Sequence, residues 1–147
     1  MQVKNKFSLS FPALSANEGF ARGAVAAFAA GLDPTLEEIN DIKTSVSEAV
    51  TNCIVHAYKS GVGQVYIYCE IIEDDVVKIR IKDKGCGIPD IKQAMEPLYS
   101  TIGGERAGLG FAVMQSFSDK IRVSSKVGKG TTVTIYKKIM PRYRING

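Results

Sequence analysis

Between Gln64 and Lys82 the chain carries two runs, QVYIYCEII and VVKIRIK, either side of the turn EDD. In the second run Val77, Ile79 and Ile81 point one way and Lys78, Arg80 and Lys82 the other. Period two in apolarity is the mark of a strand with one buried and one wet face, so the stretch predicts a β-hairpin. A sheet of that kind needs something apolar laid on one side only. KFSLSF predicts an earlier strand, with Phe7, Leu9 and Phe11 on its apolar side, and KIRVSS and TTVTIYKK predict two later ones around the turn at Gly128 to Gly130.

Helical signals fall between these runs. Ser15 and Glu18 have the S-x-x-E spacing of a capping box and predict a helix reaching Gly31. Asp33 and Pro34 predict the N-cap and first turn of a longer helix. Its apolar stripe is Leu36, Ile39, Ile42, Val46, Ala49 or Val50, and Cys53. GLGFAVMQSF predicts a third helix after a stretch from Pro89 to Ala107 in which regularity fades. The resulting expectation is an α+β fold, a two-layer sandwich with helices on one face of a mostly antiparallel sheet.

The 147 residues suit a single domain, with 45% hydrophobic and 23% charged residues as in ordinary globular proteins. No apolar run approaches the roughly 20 residues of a membrane span, and MQVKNKFSLSFP lacks the apolar core of a secretion signal. Cys53, Cys69 and Cys86 are scattered, without a C-x-x-C pair, which argues against a disulfide framework or zinc site and suits a reducing cytoplasm. The net charge of +4 comes from cations spread along the chain. It points weakly to an acidic partner and poorly to nucleic acid.

Three stretches could carry chemistry. Glu48 and Asn52 in SEAVTNCIVHAY lie four residues apart and share a helix face away from the apolar stripe, with Asp41, Ser45 and Ser47. They are either a solvated face or a proton acceptor beside an amide oxygen fit for Mg²⁺, a hard cation that completes its shell with phosphate and water. Asp83 ends a strand and is followed by Gly85 and Gly87. That pattern is either a turn or a buried carboxylate for a purine amino group, with glycines leaving room for the ring. Gly108 and Gly110 open the last helix, where free N–H groups can meet phosphate. The Walker A pattern and G-x-G-x-x-G are both absent, as is the kinase H-R-D, so a nucleotide would need another architecture. His56, the sole histidine, reads as a structural residue or a phosphate contact, and Cys86 as a space-filling thiol.

In that order, Glu48 with Asn52, Asp-x-Gly-x-Gly and Gly-x-Gly resemble the N, G1 and G2 boxes of the GHKL superfamily. Together with FPALSANEGFAR, EPLYSTIGGERAGLGFAVM and GKGTTV, the chain resembles that family's small serine-kinase anti-sigma factors of sporulation over nearly its whole length. Only the segment from about 139 to 147 finds no counterpart and is expected to be a disordered tail. The resemblance implies a GHKL (Bergerat) sandwich binding ATP or ADP with Mg²⁺ under a lid. It implies that Glu48 is the general base, that Asn52 holds Mg²⁺ and that Asp83 receives the adenine amino group, helped by Thr132 through a water. Gly85 and Gly87 would line the base, Thr101, Gly104 and Arg106 would belong to the lid, and Gly108 and Gly110 would meet the phosphates. Implied partners are a sporulation sigma factor, an anti-anti-sigma protein phosphorylated on serine, and a second copy in a homodimer, with Glu18 and Arg22 as partner surface. Neither nucleic acid nor membrane is implied as a direct partner. The rival readings are a nucleotide-gated sigma-sequestering module without turnover and the detached ATP domain of a histidine kinase.

Overall fold

Alternation of apolar and polar side chains builds the sheet. In the computed structural model, which describes residues 2–58, 61–95 and 107–140, the strands are β1 (Val3–Pro12), β2 (Gln64–Ile72), β3 (Val76–Asp83), β4 (Lys120–Lys126) and β5 (Gly130–Lys138). They lie in the order β1-β2-β3-β5-β4, and every ladder is antiparallel. The expected α+β sandwich is therefore present. Val65, Ile67 and Cys69 of β2, Val77, Ile79 and Ile81 of β3, and Val133 and Ile135 of β5 are all buried on one face. Burying each large aliphatic side chain contributes about 1.5–3 kcal/mol, which fixes the register, since a slip by one residue would turn these positions to water.

The opposite face holds Tyr66, Tyr68, Lys78, Arg80, Lys82 and Tyr136. Arg80 lies 4.7 Å from the Tyr68 ring centroid, and Lys84 5.0 Å from that of Tyr66. Cations dispersed in sequence are thus gathered on one side by strand periodicity.

Helices α1 (Glu18–Ala29), α2 (Leu36–Asn52) and α4 (Ala107–Phe117) cover the apolar face, with a short α3 at Ile91–Ala94. Ala21, Val25 and Ala29 of α1, Ile42, Val46, Ala49 and Val50 of α2, and Phe111 and Met114 of α4 join the sheet in one core. Leu36, expected on the buried stripe, is 82% exposed instead, because it begins the helix beyond the edge of that core.

The caps differ from the sequence expectation. Ser15–Asn17 forms a 3₁₀ turn, α1 starts at Glu18, and no side-chain cap bond is made there. Asp33 adopts a left-handed conformation (φ 53°) and precedes the cap rather than forming it. Thr35 caps α2: its hydroxyl accepts from Glu38 N at 3.0 Å, and Thr35 N donates to Glu38 Oε1 at 2.8 Å. Burial opposes ionisation of Glu38, but N–H bonds from Thr35 and Met140 and the Thr35 hydroxyl hold its carboxyl below the ordinary value.

Ile139 and Met140, expected to open a disordered tail, instead make defined contacts. Ile139 is buried in the core, its N–H donates to the Asp75 carbonyl at 2.7 Å, and Met140 N donates to Glu38 Oε2 at 2.9 Å. Residues 141–147 lie outside the described residues.

Candidate functional site

The last turn of α2 carries two adjacent side chains to two different structures. Asn52 is turned toward the start of α4, and Cys53 toward the end of β3. An ideal Cβ on Gly110 would lie 2.9 Å from Glu48 Oε2 and 3.4 Å from Asn52 Oδ1. Glycine at 110 leaves room for both groups, and a Cβ there would require the flexible end of Glu48 to shift. Glu48, Asn52 and Gly110, separated by up to 62 positions in sequence, therefore meet at one point. Gly108 lies in the same first turn of α4. Among the described residues Asn52 Nδ2 is buried without a hydrogen-bond partner, so this amide has bonding capacity that they leave unused.

Asp83 ends β3 and meets the end of α2 through Cys53. It is 5% exposed, and its Oδ1 accepts from Gly85 N at 2.9 Å and Thr131 N at 3.2 Å. Among the described residues Oδ2 receives only the Cys53 thiol, at 3.6 Å. Burial raises the Asp83 carboxyl above the usual aspartate value, against the lowering effect of those backbone donors and of Cys53. Burial first, then the negative charge of Asp83, pushes the Cys53 thiol far up, so it stays a protonated donor. One carboxylate oxygen is thus fully engaged, while the other keeps acceptor capacity for an N–H donor.

The two glycines after Asp83 answer to packing. A Cβ on Gly85 would strike the Ala57 carbonyl, and one on Gly87 (φ +79°) would strike that of Lys126. Cys86 N donates to Ala57 O at 2.9 Å, and Gly128 N to Cys86 O at 2.8 Å. The space beside these glycines is filled by protein backbone. The positions a side chain would take at these two glycines are thus held by a turn clamped between the end of α2 and the β4–β5 turn. The π-helical turn Cys53–Ala57 supplies that clamp, and the carbonyl of His56 in it accepts from the Cys86 thiol at 3.5 Å. Tyr58 fastens the next stretch by donating to Gln64 O at 2.6 Å and accepting from Lys84 N at 2.7 Å.

Strand alternation corrects one position. Thr131 is buried on the same side as Asp83 and pairs with it in register, whereas Thr132 pairs with Lys82 and belongs to the opposite face. The threonine that meets Asp83 is Thr131, which also bonds Ser125 Oγ at 2.7 Å. Val133 and Ile135 in TTVTIYKK carry the signal for this, since they share the parity of Thr131.

The polar face of α2 also divides. Ser45 is 1% exposed and lies 3.3 Å from Ser118 Oγ, while Asp41 pairs with Lys137 at 2.9 Å. Both turn to the α4 side. Glu18 and Arg22 form an ion pair at 3.5 Å on α1, and the capping role that Glu18 might have played is not made. Arg22 faces Asn40, Lys43, Thr44, Ser47 and Glu48 of α2 across an open cleft of 380 Å³. Thr101, Gly104 and Arg106 lie outside the described residues. Among the described residues no three His, Cys, Asp or Glu side chains gather as metal ligands. None of the described helices is long and apolar enough to cross a membrane.

A two-layer sandwich whose helix face holds an Asn–Glu pair, a glycine-led helix and a buried aspartate defines a GHKL-type ATPase domain. Residues 11–137 match the histidine kinase-like ATPase domain, and the chain belongs to that family. Within it, the chain is 53% identical over 140 residues to the anti-sigma F factor of Caldanaerobacter subterraneus subsp. tengcongensis, covering 95% of this chain and 97% of that protein. It is 57% identical over 136 residues to the anti-sigma F factor of Clostridium beijerinckii, covering 91% and 94%. Among solved structures, the RsbU and RsbW domains of Rv1364c from Mycobacterium tuberculosis superpose with a TM-score of 0.67 at 17% identity, over 92% of this chain and 33% of that one. A histidine kinase domain from Erythrobacter litoralis gives 0.56 at 21% identity, over 83% and 61%. At these identities the structural likeness is one of fold.

Proposed function

We propose that this protein is an ATP-dependent protein serine kinase and anti-sigma factor. It binds and inhibits a sporulation sigma factor and phosphorylates a serine of an anti-anti-sigma partner, acting as a homodimer in the cytoplasm. The observation that carries the kinase reading is the meeting of Glu48, Asn52 and Gly110, with Cys53, next to Asn52, reaching the buried Asp83. The anti-sigma reading draws on the relatives named above.

In this reading Asp83 Oδ2 receives the adenine amino group, and Thr131 supports it from β5. The N–H groups of the first α4 turn, including Gly108 and Gly110, face the phosphates, where the positive end of the helix favours anions. Asn52 Oδ1 is an oxygen ligand suited to Mg²⁺, which needs few protein ligands beside phosphate and water. Bound there, the cation would neutralise charge on the phosphates. Glu48 takes the proton of the serine hydroxyl as its oxygen forms a bond to the γ-phosphorus, the bond from that phosphorus to the bridging oxygen breaks, and ADP departs. Such transfer relies on positioning and charge neutralisation, so one base and a set of N–H donors suffice.

The test is incubation with γ-labelled ATP and the anti-anti-sigma protein. Glu48→Gln should abolish acid-stable label on the partner, a loss on the order of 10²–10⁴-fold for a general base, while MgATP still binds. Unchanged transfer would refute the role of Glu48. Absence of any transfer by the unaltered protein, with ATP and sigma factor both bound, would favour a nucleotide-gated sequestering module.

A further inference from the structure

The two oxygens of Asp83 are held unequally. Backbone secures Oδ1, through the N–H groups of Gly85 and Thr131 at 2.9 and 3.2 Å. Among the described residues Oδ2 is met by one side chain, the Cys53 thiol at 3.6 Å. An ionised carboxylate offers about four acceptor positions, two on each oxygen. Gly85, Thr131 and Cys53 fill three of them, and the position left is on Oδ2.

Packing alone would be served by any small apolar side chain at position 53, which is 3% exposed and belongs to the core. The contact with Asp83 uses more of cysteine than its bulk. Burial first, then the charge of Asp83, keeps the thiol protonated, so it donates. A buried carboxylate with an unfilled side tends to take up a proton there, and the less engaged side is Oδ2. A proton on Oδ2 would turn a donor toward a ligand's amino group. Burial pushes the Asp83 carboxyl in that direction, and the Cys53 thiol is among the donors that pull it back.

We propose that Cys53 is a positioning residue for base recognition: its thiol, brought by the end of α2, keeps Oδ2 of Asp83 an acceptor with room for one N–H donor, and so sets the preference for a 6-aminopurine over a 6-oxopurine. The inference rests on the reading that Asp83 meets the adenine amino group. Adenine gives one N–H to the open position. A 6-oxopurine brings a carbonyl oxygen to the same place, where two sets of lone pairs repel. The contrast holds only while Oδ2 carries no proton, because a protonated carboxyl would donate to that carbonyl. Cys53 therefore acts on the ligand through Asp83, without touching the base.

The experiment measures dissociation constants for MgATP and for MgITP, the magnesium salt of the 6-oxo counterpart inosine triphosphate. Isothermal titration is run on the full chain and on Cys53→Val, Cys53→Ala and Cys53→Ser, with thermal melts of each. The unaltered chain should prefer MgATP. Cys53→Val keeps an apolar side chain but loses the donor, so its preference for MgATP over MgITP should narrow about threefold to tenfold, the scale of one neutral hydrogen bond. Cys53→Ala removes the donor without adding bulk and should narrow the preference likewise, whether or not valine fits. Cys53→Ser keeps a donor and should keep the preference, even where it melts below Cys53→Val. A packing role predicts a preference untouched by valine or alanine, and that result would overturn the proposal. A preference narrowed as much by serine as by valine would overturn it too. If the unaltered chain binds MgATP and MgITP equally, the reading of Asp83 falls first and the role of Cys53 with it. If that chain prefers MgATP and Cys53→Ala retains the preference, the role of Cys53 alone falls.

Discussion

Asp83→Asn separates what this carboxylate does for a ligand from what it does for the fold. The carboxamide is isosteric, and its oxygen can still accept from Gly85 N and Thr131 N, the bonds at 2.9 and 3.2 Å. What changes is the position of Oδ2, where an acceptor becomes an NH₂ donor facing the Cys53 thiol. A hydrogen bond to a charged acceptor contributes about 1.5–3 kcal/mol, so adenine nucleotide affinity should fall by about tenfold to about 150-fold. The fold should gain. Burial lifts the Asp83 carboxyl above its ordinary value, so this group favours the native state only while protonated, and that contribution is lost as pH rises through the raised native pKa. Asparagine has no such loss. The melting temperature of the variant should therefore match the parent in acid and exceed it at neutral pH, by about 2–4 °C per kcal/mol for a chain of this size. Isothermal titration with MgATP and MgADP, paired with thermal melts across pH 3.5 to 8 (a range chosen about the ordinary aspartate value of roughly 3.9), makes both measurements. Unchanged nucleotide affinity would refute the role of Oδ2, and a variant destabilised at neutral pH would refute the claim that burial of the charge is costly.

Other perturbations follow from the same geometry. Gly110→Ala should leave the melting temperature equal or higher, since alanine favours a helix by about 1 kcal/mol over glycine, yet it should lower phosphate transfer by displacing the flexible end of Glu48. Thr131→Val should weaken nucleotide binding several-fold, on the order of one neutral hydrogen bond, and Thr132→Val should not, as isothermal titration would show; the reverse outcome would reinstate Thr132. In the native protein at pH 8 only Cys86 should react with a thiol reagent, because Cys53 and Cys69 are buried and burial pushes Cys69 to about 12; one rapid equivalent by absorbance is the expected count, and three would contradict it.

The strands and the helix face were legible because each rests on short-range periodicity: Val77, Ile79 and Ile81 announce their side of β3 by themselves. Helix starts were less so. Thr35 and Glu38 have the same T-x-x-E chemistry as Ser15 and Glu18, but only the first pair closes its box, since residues 15–17 are wound into a tighter turn. The site was legible in its parts, through residue types at set spacings, but not in its contacts. That Ser45 is buried against Ser118, or that Cys53 reaches Asp83, depends on how α2 and α4 dock and how a π turn ends α2. Thr132 was misplaced by one residue, although Val133 and Ile135 carried the parity.

Asp83 and Thr131 sit on β3 and β5, strands with neighbours on both sides. Amides in such central strands are expected to be among the last to exchange, so in the proposed reading the base would be held by the least mobile part of the domain. Ligand release must then be timed by the helical wall and whatever lies over it, and deuterium uptake should record nucleotide arrival in α2 and α4 long before it registers any change in the central strands.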